Sequence, residues 1–262
     1  MSDSEAILYE VTDQVATITI NRPEARNAIN TDVLKGLNTA LDRADEDKDV
    51  RVIVLTGAGG KAFCAGADLG GSFTGEESFL EIHQARSDFP RVLNKMNQCR
   101  KAIIGAVEGY CLAGGMGLCL SCDIVIATDD SQFGTPEIKR GLWPYMVTAV
   151  LTRNVGRKKA LEMCMTGERI SAAEAERIGM INYCVPKAEF KERVDEMVKK
   201  LASLSPAVMG HGKASFYQIT DMEFNDALEY LKSQLTINTQ FEDLMEGIAA
   251  FMEKREPKWK GR

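Results

Sequence analysis

The chain reads as an α/β protein with a parallel sheet and a helical C-terminal region, and three observations predict it. Between Val50 and Ala127, short apolar runs alternate with helical patterns, the signature of parallel βαβ units. Beyond Pro144 the pattern is mainly helical. The chain has 262 residues, 45% hydrophobic and 27% charged, enough for one sizeable buried core.

Taken in order, Val15 to Asn21 alternates β-branched and smaller residues as a strand does, and Pro23 ends it. Thr31 and Asp32 are placed to cap a helix presenting Val33, Leu34, Leu37, Ala40 and Leu41 on one face. Val50 to Leu55 is a buried strand closed by a glycine turn, and one helix is expected from about Glu76 to Asn97. Ala102 to Val107 gives the next strand, followed by a glycine-containing turn and a short helix; Asp123 to Ala127 gives another. Ser171 and Glu174 form a capping box before a helix that stops near Gly179. Three further helical patterns are broken near Ser205-Pro206 and Thr220-Asp221. They carry more apolar residues than a solvated tail would (Phe216, Phe224, Leu228, Leu235, Leu244 and Phe251), which suggests packing on a partner subunit.

Charge narrows the function classes. A net charge of −6, from 32 basic and 38 acidic residues, argues against a coat for nucleic acid or an anionic membrane. The seven cysteines are an odd set in core-like stretches, and the spaced pair Cys119 and Cys122 has no second pair to complete a metal site. The two histidines, His83 and His211, are far apart, so a reduced, metal-free protein is expected. Met1 to Ala6 is acidic and lacks the apolar stretch of a secretory signal. No run reaches the roughly 18 apolar residues of a membrane span. The expected location is the cytoplasm, or the mitochondrial matrix if a transit peptide has been removed.

Two glycine-containing loops carry the candidate chemistry. The first runs Lys61-Ala62-Phe63-Cys64-Ala65-Gly66-Ala67-Asp68-Leu69, and the second Glu108-Gly109-Tyr110-Cys111-Leu112-Ala113-Gly114-Gly115-Met116-Gly117. Taken singly, each reads first as a tight turn that lets helix and strand pack closely. Taken together, one backbone N–H from each, converging on one oxygen, would make an oxyanion hole. If Gly114 opens the short helix, its N–H also lies at the positive end of the dipole. Neither loop is a phosphate-binding signature.

These loops, with further stretches, resemble the crotonase (enoyl-CoA hydratase/isomerase) superfamily. The supporting stretches are Asn21-Arg22-Pro23-Glu24-Ala25-Arg26-Asn27-Ala28, Cys122-Asp123-Ile124, Phe133-Gly134-Thr135-Pro136-Glu137, Gly167-Glu168-Arg169-Ile170-Ser171 and Ala250-Phe251-Met252-Glu253-Lys254-Arg255. The resemblance implies a crotonase-like spiral of ββα units over residues 1–195, holding an acyl-CoA site. It also implies a helical oligomerisation region over 196–262 and homotrimers that pair into hexamers. No prosthetic group is implied; coenzyme A enters as part of the thioester substrate. The N–H groups of Ala67 and Gly114 would hold the thioester oxygen. Arg26, Ala28, Ala65, Asp68 and Leu69 would hold the CoA segment, with Phe251 and Lys254 reaching its nucleotide end. By itself, Lys254 reads as a solvated surface lysine.

The resemblance also locates the acid/base group. Hydratases of the family carry two glutamates; the second stands here as Glu137, and the first falls at Gly117. Hydration needs a base for water at C3 and an acid for C2, whereas moving a double bond from C3–C4 to C2–C3 needs one proton shuttle. An enoyl-CoA isomerase with Glu137 as its acid/base is therefore expected. The alternatives are an enoyl- or dienoyl-CoA hydratase acting on an unusual acyl group, and an acyl-CoA- or RNA-binding relative without turnover. Glu77, Glu81 or Glu108 would restore a second carboxylate if one of them reached the site. As a bare dipeptide, Pro136-Glu137 is an ordinary helix start. Leu142, Trp143, Pro144, Tyr145 and Met146 are candidates to line an apolar pocket around it, with Tyr145 read as packing before proton donation.

Overall fold

The computed structural model describes residues 5–68 and 78–262. The chain opens with a hairpin of β1 (Ile7–Thr12) and β2 (Val15–Ile20), turned through Asp13 and Gln14, both at positive φ. β1 was not evident in the sequence because it buries only its first residue and shows no alternation. Helix α1 (Thr31–Glu46) buries Val33, Leu37, Ala40, Leu41 and Ala44. Its cap is Asn30, not Thr31 or Asp32: the Asn30 side chain accepts from the Val33 N–H at 2.9 Å, the reach that an N-cap side chain needs.

Next come β3 (Val52–Gly57), β4 (Ala62–Cys64), α2 (Phe79–Ala85) and α3 (Asp88–Gln98). The single helix expected over this stretch is two. Pro90 has no N–H and its ring clashes with the carbonyl four residues back, at Arg86, so the helix restarts with Pro90 in its first turn. Then follow β5 (Ala102–Val107), β6 (Tyr110–Leu112), α4 (Gly114–Leu120), β7 (Ile124–Thr128) and β8 (Gln132–Gly134). A 3-10 turn at Pro136–Arg140 leads to α5 (Tyr145–Asn154) and α6 (Arg157–Thr166). The core closes with β9 (Arg169–Ser171), α7 (Ala172–Arg177), β10 (Tyr183–Val185) and α8 (Phe190–Ala202). Ser171 caps α7 by accepting from the Glu174 N–H, but the Glu174 carboxylate turns to Arg177, so only half of the capping box forms.

The strands form two sheets. A six-stranded sheet has the order β1-β2-β3-β5-β7-β10, parallel except for the opening hairpin, and a four-stranded sheet has the order β4-β6-β8-β9. Each consecutive strand pair, β3/β4, β5/β6 and β7/β8, gives one strand to each sheet, so the expected repetition of ββα units is present. β3 and β5 are buried on both faces, which is why they read as continuous apolar runs. One face meets the main core; Phe190, Val194 and Met197 of α8 cover Val52, Val54, Ile104 and Ile126 on the other. Residue 195 lies inside α8. All seven cysteines are free, six of them buried. Burial pushes the Cys64 and Cys99 thiols up to about 12.

Three helices follow: α9 (Pro206–Ile219), α10 (Phe224–Asn238) and α11 (Glu242–Glu253). A half-buried ion pair docks α9 on the sheet. Lys213 Nζ lies 2.7 Å from Asp123 Oδ2 and also donates to the carbonyls of Met96 and Lys101. The other Asp123 oxygen accepts from the Tyr217 hydroxyl at 2.9 Å. Buried Asp243 accepts from the Ser205 hydroxyl and the backbone N–H groups of Lys260 and Gly261, strapping the C-terminal tail to the helices. The outer faces of α10 and α11 expose Phe224, Leu235, Met245 and Phe251. Among the described residues, no helix is long and apolar enough to cross a membrane, and no group of three or more His, Cys, Asp or Glu side chains is placed to hold a metal.

Candidate active site

The first loop leaves β4 and is stitched to the segment around Arg26. Ala65 N–H donates to the Arg26 carbonyl, Ile29 N–H to Gly66 and Asp68 N–H to Ile29. This is a one-residue parallel bridge between Ile29 and Ala67. In such a bridge the flanking residues carry the hydrogen bonds, so the central N–H points away from its partner. Among the described residues, the Ala67 N–H meets no acceptor.

The second loop meets it there. Ala113 N–H donates to the Gly134 carbonyl at 2.9 Å, and Ala113 itself sits at φ 53 and ψ −126, a region costly for a residue with a Cβ. The next residue, Gly114, opens α4 with an N–H that also has no acceptor among the described residues. The loops touch because both carry glycine. A methyl group on Gly66 would stand 2.5 Å from the Ala113 Cβ and 3.3 Å from the Gly114 nitrogen, and one on Gly114 would stand 3.8 Å from the Ala67 nitrogen. Two unpartnered donors therefore lie side by side, each aimed by backbone bonds alone.

Glu137 follows Gly134 by one short turn. Strand β8 pairs with β6 in parallel register, Leu112 opposite Gly134, so the second loop and the Glu137 segment are fixed to each other. Pro136 starts the 3-10 turn, and the Thr135 hydroxyl anchors it on the Met163 carbonyl of α6 at 3.0 Å. Burial raises the Glu137 carboxyl above the ordinary glutamate range; its own backbone N–H and nearby Arg140 pull it back only partly. Its Oε2 is buried and has no hydrogen-bond partner among the described residues. A buried carboxyl oxygen left unpaired is costly, and it is a base with room for one proton. Of the proposed pocket residues, Pro144 is buried and Trp143 packs on the core, while Leu142, Tyr145 and Met146 are exposed in the single chain. Val147 points inward instead.

At Gly117 a second side chain would have to displace the ring of Phe89. A methyl group there would stand 2.8 Å from Cζ of Phe89 and 3.6 Å from Cγ2 of Val147. The same Phe89 Cζ is 3.7 Å from where a Cβ on Gly114 would lie. The other carboxylates are engaged elsewhere: Glu81 accepts from the Ser78 N–H at the start of α2, and Glu108 faces Lys187 at 3.6 Å. Glu77 and Leu69 lie outside the described residues.

The profile of the enoyl-CoA hydratase/isomerase family matches residues 10–262. The chain belongs to that family. The short-chain-enoyl-CoA hydratase of Clostridium acetobutylicum is 33% identical over 250 residues, covering 95% of this chain and 95% of that one. The human mitochondrial enoyl-CoA hydratase domain-containing protein 3 is 36% identical over 250 residues, 94% of this chain and 81% of the relative. Among solved structures, an enoyl-CoA hydratase of Mycobacterium smegmatis superposes with a TM-score of 0.93 at 33% identity, over 98% of this chain and 99% of that one.

In this enoyl-CoA hydratase/isomerase family member, the structure brings Arg26, Ala28, Ala65, Ala67, Asp68 and Gly114 into one connected region. Two residues that sequence reasoning passed over organise it. Arg22 donates to the Ala28 carbonyl at 2.7 Å and pairs with Asp68 at 2.9 Å. Buried Asn27 donates to the Ala58 and Ala62 carbonyls and accepts from the Arg22 N–H. Both stood in the stretch that carried the resemblance, beside residues given ligand roles. Arg26 is exposed and lies 6.0 Å from the Tyr110 ring centroid, with Arg169 at 5.0 Å from the same ring. Phe251 and Lys254 stand apart at the exposed end of α11, which packs on α9, and Phe251 is 85% exposed.

Proposed function

We propose that this member of the enoyl-CoA hydratase/isomerase family is a Δ3-Δ2 enoyl-CoA isomerase that works with one carboxylate. The observation that carries the reading is that Glu137 has a buried, unpaired oxygen, while Phe89 occupies the space over Gly117. The thioester oxygen takes hydrogen bonds from the N–H groups of Ala67 and Gly114. Glu137 removes a proton from C2 of the 3-enoyl group, and the charge moves onto that oxygen. Each donor stabilises the enolate by about 3–4 kcal/mol, the range seen for a single oxyanion-hole hydrogen bond. The same carboxyl then returns the proton to C4, leaving the double bond between C2 and C3. Burial suits Glu137 to this work because a base near the operating pH both takes and returns the proton readily.

Arg26, Ala28, Ala65, Asp68 and Leu69 hold the CoA segment, and no prosthetic group enters the reaction. Residues 196–262 form the oligomerisation region of a homotrimer or hexamer, and Phe251 and Lys254 reach the nucleotide end of a CoA held by a neighbouring protomer. The large exposed side chains of α10 and α11 support that assembly.

The second reading is a hydratase, favoured by the names of the relatives. Incubation with a 3-enoyl-CoA and a 2-enoyl-CoA separates the two. Isomerisation of the first is expected; rapid reversible hydration of crotonyl-CoA with no isomerisation would overturn the proposal.

A further inference from the structure

Phe89 is a large side chain that packs against both Gly114 and Gly117 on the inner face of α4. It is 8% exposed, held by the first turn of α3, with Cζ 2.8 Å from the place of a Cβ on Gly117 and 3.7 Å from that on Gly114. Val147 closes the same space from α5 at 3.6 Å. Leu93 and Met96 of α3 lie in the same buried cluster and fix the helix that carries the ring. An alanine at 117 would already press on the ring edge, and a glutamate, being longer, would have to push it further aside.

We infer that Phe89 is the reaction-selecting residue of this site: its ring occupies the place of a second carboxylate and keeps water away from C3. The inference rests on the one-carboxylate reading and names the side chain that enforces it. Hydration adds the oxygen of water to C3, passes the water's proton to a base on that side, and delivers a proton from Glu137 to C2. With the ring in place, neither the water nor the base has room. Glycine at 117 and phenylalanine at 89 are then one coupled feature, and neither change alone opens the route.

The test is a mutant cycle on the full-length protein: Phe89→Ala, Gly117→Glu and the double variant. Crotonyl-CoA hydration, 3-enoyl-CoA isomerisation and thermal midpoint are measured for each. The double variant is expected to hydrate crotonyl-CoA on the order of tenfold faster than either single variant. Gly117→Glu is expected to lower the midpoint far more in the presence of Phe89 than in its absence. Equal hydration by Gly117→Glu alone and by the double variant would overturn the inference, as would an equal loss of midpoint in both backgrounds. Should Phe89→Ala fail to fold, Phe89→Leu takes its place, keeping apolar bulk while removing the ring edge. A wild-type protein that hydrates and never isomerises would remove the one-carboxylate reading, while the midpoint cycle would still judge the Phe89–Gly117 coupling separately.

Discussion

Ala113 donates its N–H to the Gly134 carbonyl at 2.9 Å, and this bond ties the loop ending in Gly114 to the segment ending in Glu137. Holding that bond keeps Ala113 at φ 53 and ψ −126. Such a conformation costs about 1–3 kcal/mol for a residue with a Cβ. Glycine adopts it freely but loses roughly 0.5–1 kcal/mol through the entropy of the unfolded chain. Ala113→Gly is therefore expected to stabilise the fold by about 1 kcal/mol, read as a higher urea midpoint with an unchanged slope.

Glu137→Gln is expected to lower turnover at least about a hundredfold while binding of the CoA ester survives, measured by steady-state kinetics beside a binding titration.

The raised pKa of Glu137 adds a stability signature. Its folded form holds the proton more tightly than the unfolded chain does. The associated stability is present below the ordinary glutamate range and lost as pH rises through the elevated folded value. Glu137→Gln removes that loss, so its thermal midpoint relative to wild type is expected to climb with pH across this window. A difference that stays flat would mean that the carboxyl is not desolvated.

Arg22 supports the proposed CoA loop without standing where the proton moves. Removing its bonds to Ala28 and Asp68 is expected to raise KM for a CoA thioester several-fold and leave kcat within about threefold, because lost uniform binding appears in KM.

The Lys213–Asp123 pair docks α9 on the sheet, with the Lys213 side chain only 7% exposed. Lys213→Met leaves the half-buried Asp123 carboxylate without its cation, with the Tyr217 hydroxyl and the Ile103 N–H still donating to it, and is expected to cost about 2–3 kcal/mol; Lys213→Met with Asp123→Asn should recover much of that loss. Chemical denaturation of the two variants checks both statements.

Leu235 is 68% exposed on α10 in the single chain. Leu235→Glu is expected to lower the sedimenting mass from that of the proposed trimer or hexamer toward the monomer, measured by analytical ultracentrifugation.

The parts of the fold visible in sequence were those with enough residues to show a period. Ala102–Val107 is a strand over its full expected length, and α4 starts at Gly114. The second sheet was not visible, since β4, β6, β8 and β9 are three residues each, too short for alternation to register. The helix expected over 76–97 runs through Pro90, which has no N–H to donate, and two helices stand there instead. For the candidate site, Ala67, Gly114 and Glu137 were singled out by the resemblance of their stretches to the family, but Phe89 was not. A phenylalanine on an amphipathic helix looks like core, and only the fold shows which space its ring takes.

The two N–H groups of Ala67 and Gly114 belong to the main chain, and the bonds that aim them are main-chain bonds too. An amide hydrogen is supplied at every position except proline. A point substitution elsewhere in the cleft can thus change which proton moves, or whether water takes part, and still inherit the same pair of aimed donors. The scaffold separates what is held constant from what is free to vary, so new chemistry here is within reach of very few mutational steps.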